Sequence, residues 1–103
     1  MPEMIPQEGS GVVQDFRINA LVRVMLVRLS IDLANIEHGA TNGVVYVKGT
    51  LRTGIFDPSG DGRLAEIQTA QRLERALRGI PGVRDVVFQL DRVVKVGRRW
   101  ELR

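Results

Sequence analysis

The residues that most often do chemistry in proteins are scarce in this sequence. The chain of 103 residues has no cysteine and a single histidine, His38. A cysteine nucleophile, a thiolate-ligated metal and a disulfide framework are therefore excluded, and one histidine cannot build a histidine-rich metal site within one chain. Three interpretations of His38 remain: a pH-sensitive group, a ligand shared across a symmetry axis, or a half-exposed histidine at a strand end. The composition predicts a protein that is not an enzyme and needs no cofactor or metal.

Two short motifs resemble ligand sites, but local structure explains them better. Segment 57–62, DPSGDG, brings aspartates together, yet it lacks the twelve-residue pattern and closing glutamate of a calcium loop. A turn followed by Asp61 as a helix N-cap accounts for it. Segment 79–82, GIPG, has the GxxG spacing of a nucleic-acid clamp, which joins two helices. Here it is expected to join a helix to a strand, where a C-cap and a turn suffice.

The charge of the chain favours interfaces and anionic partners. Lysine and arginine total 15 against 12 aspartates and glutamates, and only Lys48 and Lys95 are lysines. Arginine suits interfaces and phosphate recognition, although a high-GC genome or a warm habitat explains the arginine count at least as well. The candidate contacts with an anion or with nucleic acid are Arg92, Lys95, Arg98 and Arg99. This cluster is milder than the basic patch of a dedicated nucleic-acid binder, so nucleic acid is the less favoured partner.

The N-terminal segment 1–13 is expected to be an extended arm, since it contains two prolines and a Gly-Ser-Gly joint. It has neither the basic nor the apolar region of a signal peptide. The most apolar stretch, 20–33, is too short and too charged to span a bilayer. These features predict a cytoplasmic protein, with envelope association left open.

Segment 14–34 has no glycine or proline and predicts one long helix with two apolar stripes. At about 100° per residue, one stripe holds Ile18, Leu21, Val22, Met25 and Leu29. The other stripe holds Phe16, Ala20, Val24, Val27 and Ile31. Because a surface helix of a small domain needs one apolar stripe, the second predicts a contact with another molecule.

The rest of the chain predicts a small α+β domain over 14–96 in the order helix, strand, strand, helix, strand. Asn42-Gly43 is a strong hairpin turn, and a helix between two strands favours a crossover with both helices on one face of a three-stranded mixed sheet. The predicted segments are strands 35–38 and 44–51, a loop over 52–62 carrying the unusual apolar pair Ile55 and Phe56, a helix over 63–78, a strand over 83–96 and a tail over 97–103.

Two of these strands resemble those of the BON domain family. Gly43–Leu51 reads GVVYVKGTL and Pro81–Leu90 reads PGVRDVVFQL, similar to the family's G-V-V-x-L-x-G-x-V and G-V-x-x-V-x-N-x-L strands on either side of a helix. The layout covers 14–94, although loop 52–62 is longer than usual and Gln89 stands where asparagine is common. The resemblance implies a bacterial domain without catalytic residues that attaches to phospholipid or envelope surfaces and to other proteins.

The sequence therefore predicts a non-catalytic interaction module that forms homo-oligomers or docks on a protein or envelope surface. The predicted interface residues are Phe16, Ala20, Val24, Val27, Ile31, Ile55, Phe56 and Trp100. Trp100, in the tail, is expected to pack on a neighbouring subunit because tryptophan and arginine are enriched at interface hot spots. The alternatives are a small nucleic-acid-binding module and a phospholipid-surface binder.

Overall fold

A computed structural model describes residues 6–52 and 62–103, with side chains described over 13–52 and 64–103. Two helices and five strands follow one another along this part of the chain. In order they are α1 (Pro6–Arg28), a short 3-10 turn (Leu33–Asn35), β1 (Ile36–Thr41), β2 (Val44–Gly49), α2 (Gly62–Arg78), β3 (Asp85–Leu90), β4 (Val93–Val96) and β5 (Arg99–Leu102).

The main sheet is three-stranded and mixed, in the order β1-β2-β3. β1 and β2 form an antiparallel hairpin in which Thr41 pairs with Val44 across the Asn42-Gly43 turn. β2 and β3 run parallel, with Val44 opposite Asp85 and Gly49 opposite Leu90. The predicted α+β class and element order are confirmed. A second sheet, the β4-β5 hairpin, was not expected from the sequence.

The core lies between the helices and one face of the main sheet. Alternate residues of β2 and β3 point to this face, and α1 and α2 each present a stripe of fully or nearly fully buried side chains to it. Asp15 fastens α1 to the hairpin turn, because its two carboxylate oxygens accept the backbone N–H groups of Asn42 (2.7 Å) and Gly43 (2.9 Å). The main core residues are Ile18, Val22, Leu26, Val45, Val47, Ala70, Leu73, Leu77, Val86 and Leu90.

Helix α1 begins and ends earlier than the sequence indicates. It starts at Pro6, so the predicted extended arm is wrong over 6–13; proline is well suited to the first helical turn. It ends because Ser30 adopts a left-handed conformation with φ 59°. The Ile31 N–H then bonds to the Leu26 carbonyl and the Ser30 N–H to the Val27 carbonyl, which is the Schellman arrangement of a helix C-terminus.

The predicted strand over 83–96 is two strands, β3 and β4, which separate at Asp91 and Arg92. β2 ends at Gly49, so β3 has no partner beyond Leu90. The Asp91 N–H donates to the Gly49 carbonyl at 2.9 Å, and Arg92 pairs with Glu66 on α2 at 3.0 Å. The chain therefore turns away from the sheet and crosses towards α2.

Residues 99–102 form β5 and complete the core, so the predicted tail is part of the fold. Trp100 is 7% exposed and packs edge-on against Phe88, with ring centres 5.0 Å apart. Its indole N–H donates to Glu74 at 3.3 Å. The expectation that Trp100 contacts a neighbouring subunit is wrong, because this chain itself supplies the apolar contacts and the acceptor that its side chain requires.

Glu74 joins α2 to the C-terminal hairpin. Its carboxylate accepts from Lys95 and Trp100 of the hairpin and from Arg78 one turn along α2. Burial alone would raise the pKa of Glu74, but hydrogen bonds from Lys95, Arg78 and Trp100 hold it below the usual value. The carboxylate is therefore kept charged in the folded state.

We expect Trp100→Ala to lower the free energy of unfolding by about 3–5 kcal/mol, because it opens a cavity beside Phe88 and removes a donor to Glu74. Leu102→Ala, on the same hairpin but 41% exposed, should cost about 0.5 kcal/mol. Urea unfolding followed by circular dichroism measures both. Similar costs for the two variants would contradict the placement of Trp100 in the core.

Candidate interaction surfaces

The outward face of α1 carries a continuous apolar stripe. Phe16 is 78% exposed and Val27 57% exposed, and Val13, Val24 and Leu21 are also exposed. Phe16, Val27, Val13 and Val24 lie opposite the stripe formed by Ile18, Val22 and Leu26, which is completely buried, whereas Leu21 lies at the border between the two faces. The structure thus separates the two predicted apolar faces of the helix into one that covers the sheet and one that faces away from it.

Four of the five α1 residues predicted to form an interface lie on this outward face: Phe16, Ala20, Val24 and Val27. The fifth, Ile31, is 5% exposed and belongs to the core. Its assignment to the outer stripe is wrong because the helix ends at Arg28 and the chain turns inward before Ile31. Ile55 and Phe56 lie outside the described residues. Val13 and Leu21 extend the exposed surface beyond the predicted set.

The outward face of α1 is positively charged as well as apolar. Arg17, Arg23 and Arg28 are exposed alongside the stripe, and the sequence has no aspartate or glutamate between 16 and 31. Asp15, next to the stripe, is already bonded to the hairpin turn. We refer to this surface, apolar residues and arginines together, as the α1 outer face.

The residues predicted to bind an anion or nucleic acid do not form one free basic surface. Arg92 pairs with Glu66 and Arg99 with Glu101, each at 3.0 Å. Lys95 pairs with Glu74. Arg98 is exposed. Three of the four cations are engaged by carboxylates of the same chain. Little unpaired positive charge is therefore left at these residues to bind the phosphates of a nucleic acid.

Glu66 is the charged residue buried most deeply among the described residues, at 6% exposure. One carboxylate oxygen pairs with Arg92, whereas Oε2 is buried without a hydrogen-bond partner in the described part of the chain. Burial raises the pKa of Glu66, opposed by Arg92 and Arg52. Glu66 and Arg92 therefore form a structural ion pair that joins α2 to the residue before β4.

The second face of the main sheet is not covered by either helix. Tyr46 and Val87 lie at its centre, 46% and 43% exposed, and Lys48 and Gln89 lie beside them. Tyr46 lies flat across Gly39 of β1: a Cβ at residue 39 would come within 2.5 Å of the Tyr46 hydroxyl oxygen. Because glycine has no side chain, residue 39 leaves the space that the tyrosine ring occupies on the sheet.

His38 lies on β1 beneath α1. Its Nδ1 is 2.8 Å from the Asn19 side-chain oxygen, and because an amide oxygen only accepts hydrogen bonds, Nδ1 carries the proton. Burial and, to a smaller extent, the nearby charge of Arg23 lower the pKa of His38 below its ordinary value of 6.5. The histidine is thus half-buried, neutral and bonded to α1.

The described residues contain no group of three or more histidines, aspartates or glutamates placed to hold a metal ion. Among them, no helix is long and apolar enough to cross a membrane. No family model matches the chain, and no curated protein matches it. The assignment to the BON family therefore stays a proposal.

We expect His38 to make the fold less stable in mild acid. A histidine whose pKa is lowered by folding binds its proton more readily in the unfolded chain, so stability falls as the pH drops through 6.5. His38→Gln removes the titrating group but keeps an amide that can donate to Asn19. The variant should lose less stability than the parent between about pH 7.5 and 5.5 in urea titrations. Parallel pH profiles would contradict this role.

Proposed function

We propose that this chain is a non-catalytic interaction module that associates with copies of itself through the α1 outer face. The observation that carries the proposal is the exposed apolar stripe on the side of α1 opposite the core. Contiguous apolar patches on soluble proteins mark interaction sites more often than not. The cytoplasmic location remains a prediction of the sequence.

The pattern of the stripe suits a symmetric pair of antiparallel helices. Val13, Phe16, Ala20, Val24 and Val27 follow one another at intervals of 3, 4, 4 and 3 residues, a spacing that is the same in both directions from Ala20. A two-fold axis at Ala20 would place Phe16 of one copy near Val24 of the other. The small side chain of Ala20 at the centre would let the helices approach closely.

The BON resemblance supports the same class of function. Its two motifs lie on β2 and β3, which are neighbours in the sheet and run parallel, with α2 between them in the chain. Gly49, within the first motif, has φ 121° and approaches the Asn35 carbonyl too closely for a side chain. The family contributes no catalytic residues, and none is proposed for this chain.

A second candidate function is docking on an anionic phospholipid surface. It is favoured by Arg17, Arg23 and Arg28, which border the apolar stripe with no carboxylate among them. Apolar residues flanked by arginine are typical of helices that lie in a membrane interface. Facing arginines repel each other across a helix pair, whereas they attract an anionic surface. The nucleic-acid alternative has no comparable support, since Arg92, Lys95 and Arg99 are paired.

We expect the double variant Phe16→Glu, Val24→Glu to abolish the association that is made through the α1 outer face while the fold is retained. Each substitution introduces a carboxylate into the centre of an apolar contact, and one such contact is worth more than about 1.4 kcal/mol, or tenfold in affinity. Leu64→Glu is the matched control, because Leu64 is an apolar residue that is 53% exposed on α2 and is not part of the α1 outer face. Sedimentation equilibrium over a range of protein concentrations measures the change. A parent chain that stays monomeric would overturn the proposal.

Salt separates the two candidate functions. Raising NaCl from about 50 to 500 mM should strengthen association of two arginine-bordered stripes, because their mutual repulsion is screened. The same change should weaken binding to vesicles that contain an anionic phospholipid. The triple variant Arg17→Gln, Arg23→Gln, Arg28→Gln should bind such vesicles more weakly and self-associate at least as well as the parent. The reverse result would favour the membrane surface as the main partner.

A further inference from the structure

The two edges of the main sheet differ in how their backbone groups are satisfied. On the β3 edge, the Val86 N–H donates to the side chain of Asp85 at 2.8 Å, and the Leu90 carbonyl accepts from Arg103 at 3.2 Å. Side chains therefore occupy backbone groups that would otherwise be open to another strand. Natural sheets commonly protect their edges in this way or with lysine and proline.

Among the described residues the β1 edge is protected only at its first residue, where the Ile36 N–H donates to the Leu33 carbonyl of the 3-10 turn. The Thr50 N–H bonds to the Asn35 carbonyl, and bonded pairs alternate along an antiparallel ladder. Residues 37, 39 and 41 therefore bond to β2, whereas the N–H and C=O groups of Ile36, His38 and Ala40 point outward. In the described part of the chain the only backbone hydrogen bond to these outward groups is the one from the Ile36 N–H to the Leu33 carbonyl, so both groups of His38 and of Ala40 and the Ile36 carbonyl have no backbone partner. β1 also contains neither lysine nor proline.

The three outward residues are symmetric about His38. When a second β1 runs antiparallel with His38 opposite His38, Ile36 faces Ala40 and Ala40 faces Ile36. All three outward residues then meet outward residues. The pair gains about four backbone hydrogen bonds, because the Ile36 N–H groups are already bonded to Leu33. Moving one strand by a single residue would pair outward groups with groups already used by β2 and would lose this match.

The side chains on the uncovered face fit the same register. Glu37 of one copy would lie opposite Gly39 of the other, where Tyr46 already covers the glycine and carries its hydroxyl to that position. A tyrosine hydroxyl donates well to a carboxylate. Glu37 is exposed, so its carboxylate is available for this contact.

We infer that β1 pairs with β1 of a second copy, antiparallel and centred on His38, so that one sheet runs through both chains. This inference concerns residues other than the α1 outer face and goes beyond the proposed function. It identifies the partner of the β1 edge as an identical chain, because the outward groups of His38, the Ala40 N–H and the Glu37–Tyr46 contact are all satisfied by the same two-fold axis.

Single cysteines test the register directly, because the parent chain has none. In the proposed pair the two residues 38 have Cα atoms about 5.5 Å apart, a separation that suits a disulfide. The two residues 41 would be about 20 Å apart. Under mild oxidation, His38→Cys should form a covalent dimer about tenfold faster than Thr41→Cys, the control from the same strand. Equal rates, or a faster rate for Thr41→Cys, would overturn the inference.

Ala40→Pro tests the hydrogen bonds. Its N–H points outward, so proline removes a donor to the second copy without breaking the ladder to β2. The variant should keep its circular dichroism spectrum and slow the cross-linking of His38→Cys at least severalfold. Unchanged cross-linking in a folded variant would contradict the pairing. If the variant does not fold, the comparison of the cross-linking rates of His38→Cys and Thr41→Cys still decides whether β1 pairs with β1 of a second copy.

The failure of this inference can be told from the failure of the proposed function. If self-association is lost in Phe16→Glu, Val24→Glu but His38→Cys does not cross-link, the α1 outer face stands and the β1 pairing is overturned. If His38→Cys cross-links equally in the presence of these two substitutions, the β1 pairing stands independently of α1.

Discussion

The parallel pairing of β2 with β3 is the constraint on which the rest of this structure depends. Parallel neighbours cannot be joined by a tight turn, so the chain must cross from the end of β2 to the start of β3, and α2 lies on that crossover. A crossover places its helix on one face of the sheet. α1 joins α2 on that face, and together they bury Val45, Val47 and Val86.

The same constraint explains what is left uncovered. With both helices on one face, the side chains of Tyr46 and Val87 remain exposed on the other. In the described part of the chain nothing lies above the layer of helices, so the side of α1 opposite the sheet is exposed there whether its residues are polar or apolar. The fold of one chain therefore does not require apolar residues on this side of α1. The sequence nevertheless places Phe16, Val24 and Val27 there.

Local signals predicted α2, the Asn42-Gly43 hairpin and the two apolar stripes of α1, because each depends on residues close together in the chain. They did not predict the C-terminal hairpin, since the position of Trp100 depends on Glu74 and Phe88, which are distant in sequence. They also placed the end of α1 too late, because a serine takes the left-handed conformation that glycine usually occupies. The outer residues of α1 followed from helical periodicity alone, whereas the ion pairs of Arg92 with Glu66 and of Lys95 with Glu74 join residues that are distant in sequence and were not predicted.

Trp100 and Tyr46 are the only tryptophan and the only tyrosine in the chain, and they occupy opposite environments. The indole is buried against Phe88 and bonded to Glu74, whereas the phenol lies half-exposed on the uncovered face of the sheet. Their intrinsic fluorescence therefore reports different events. Tryptophan emission follows the docking of the C-terminal hairpin onto α2 and hence folding. Tyrosine emission, which lies at shorter wavelength than tryptophan emission, follows changes at the β1 side of the sheet in molecules that remain folded.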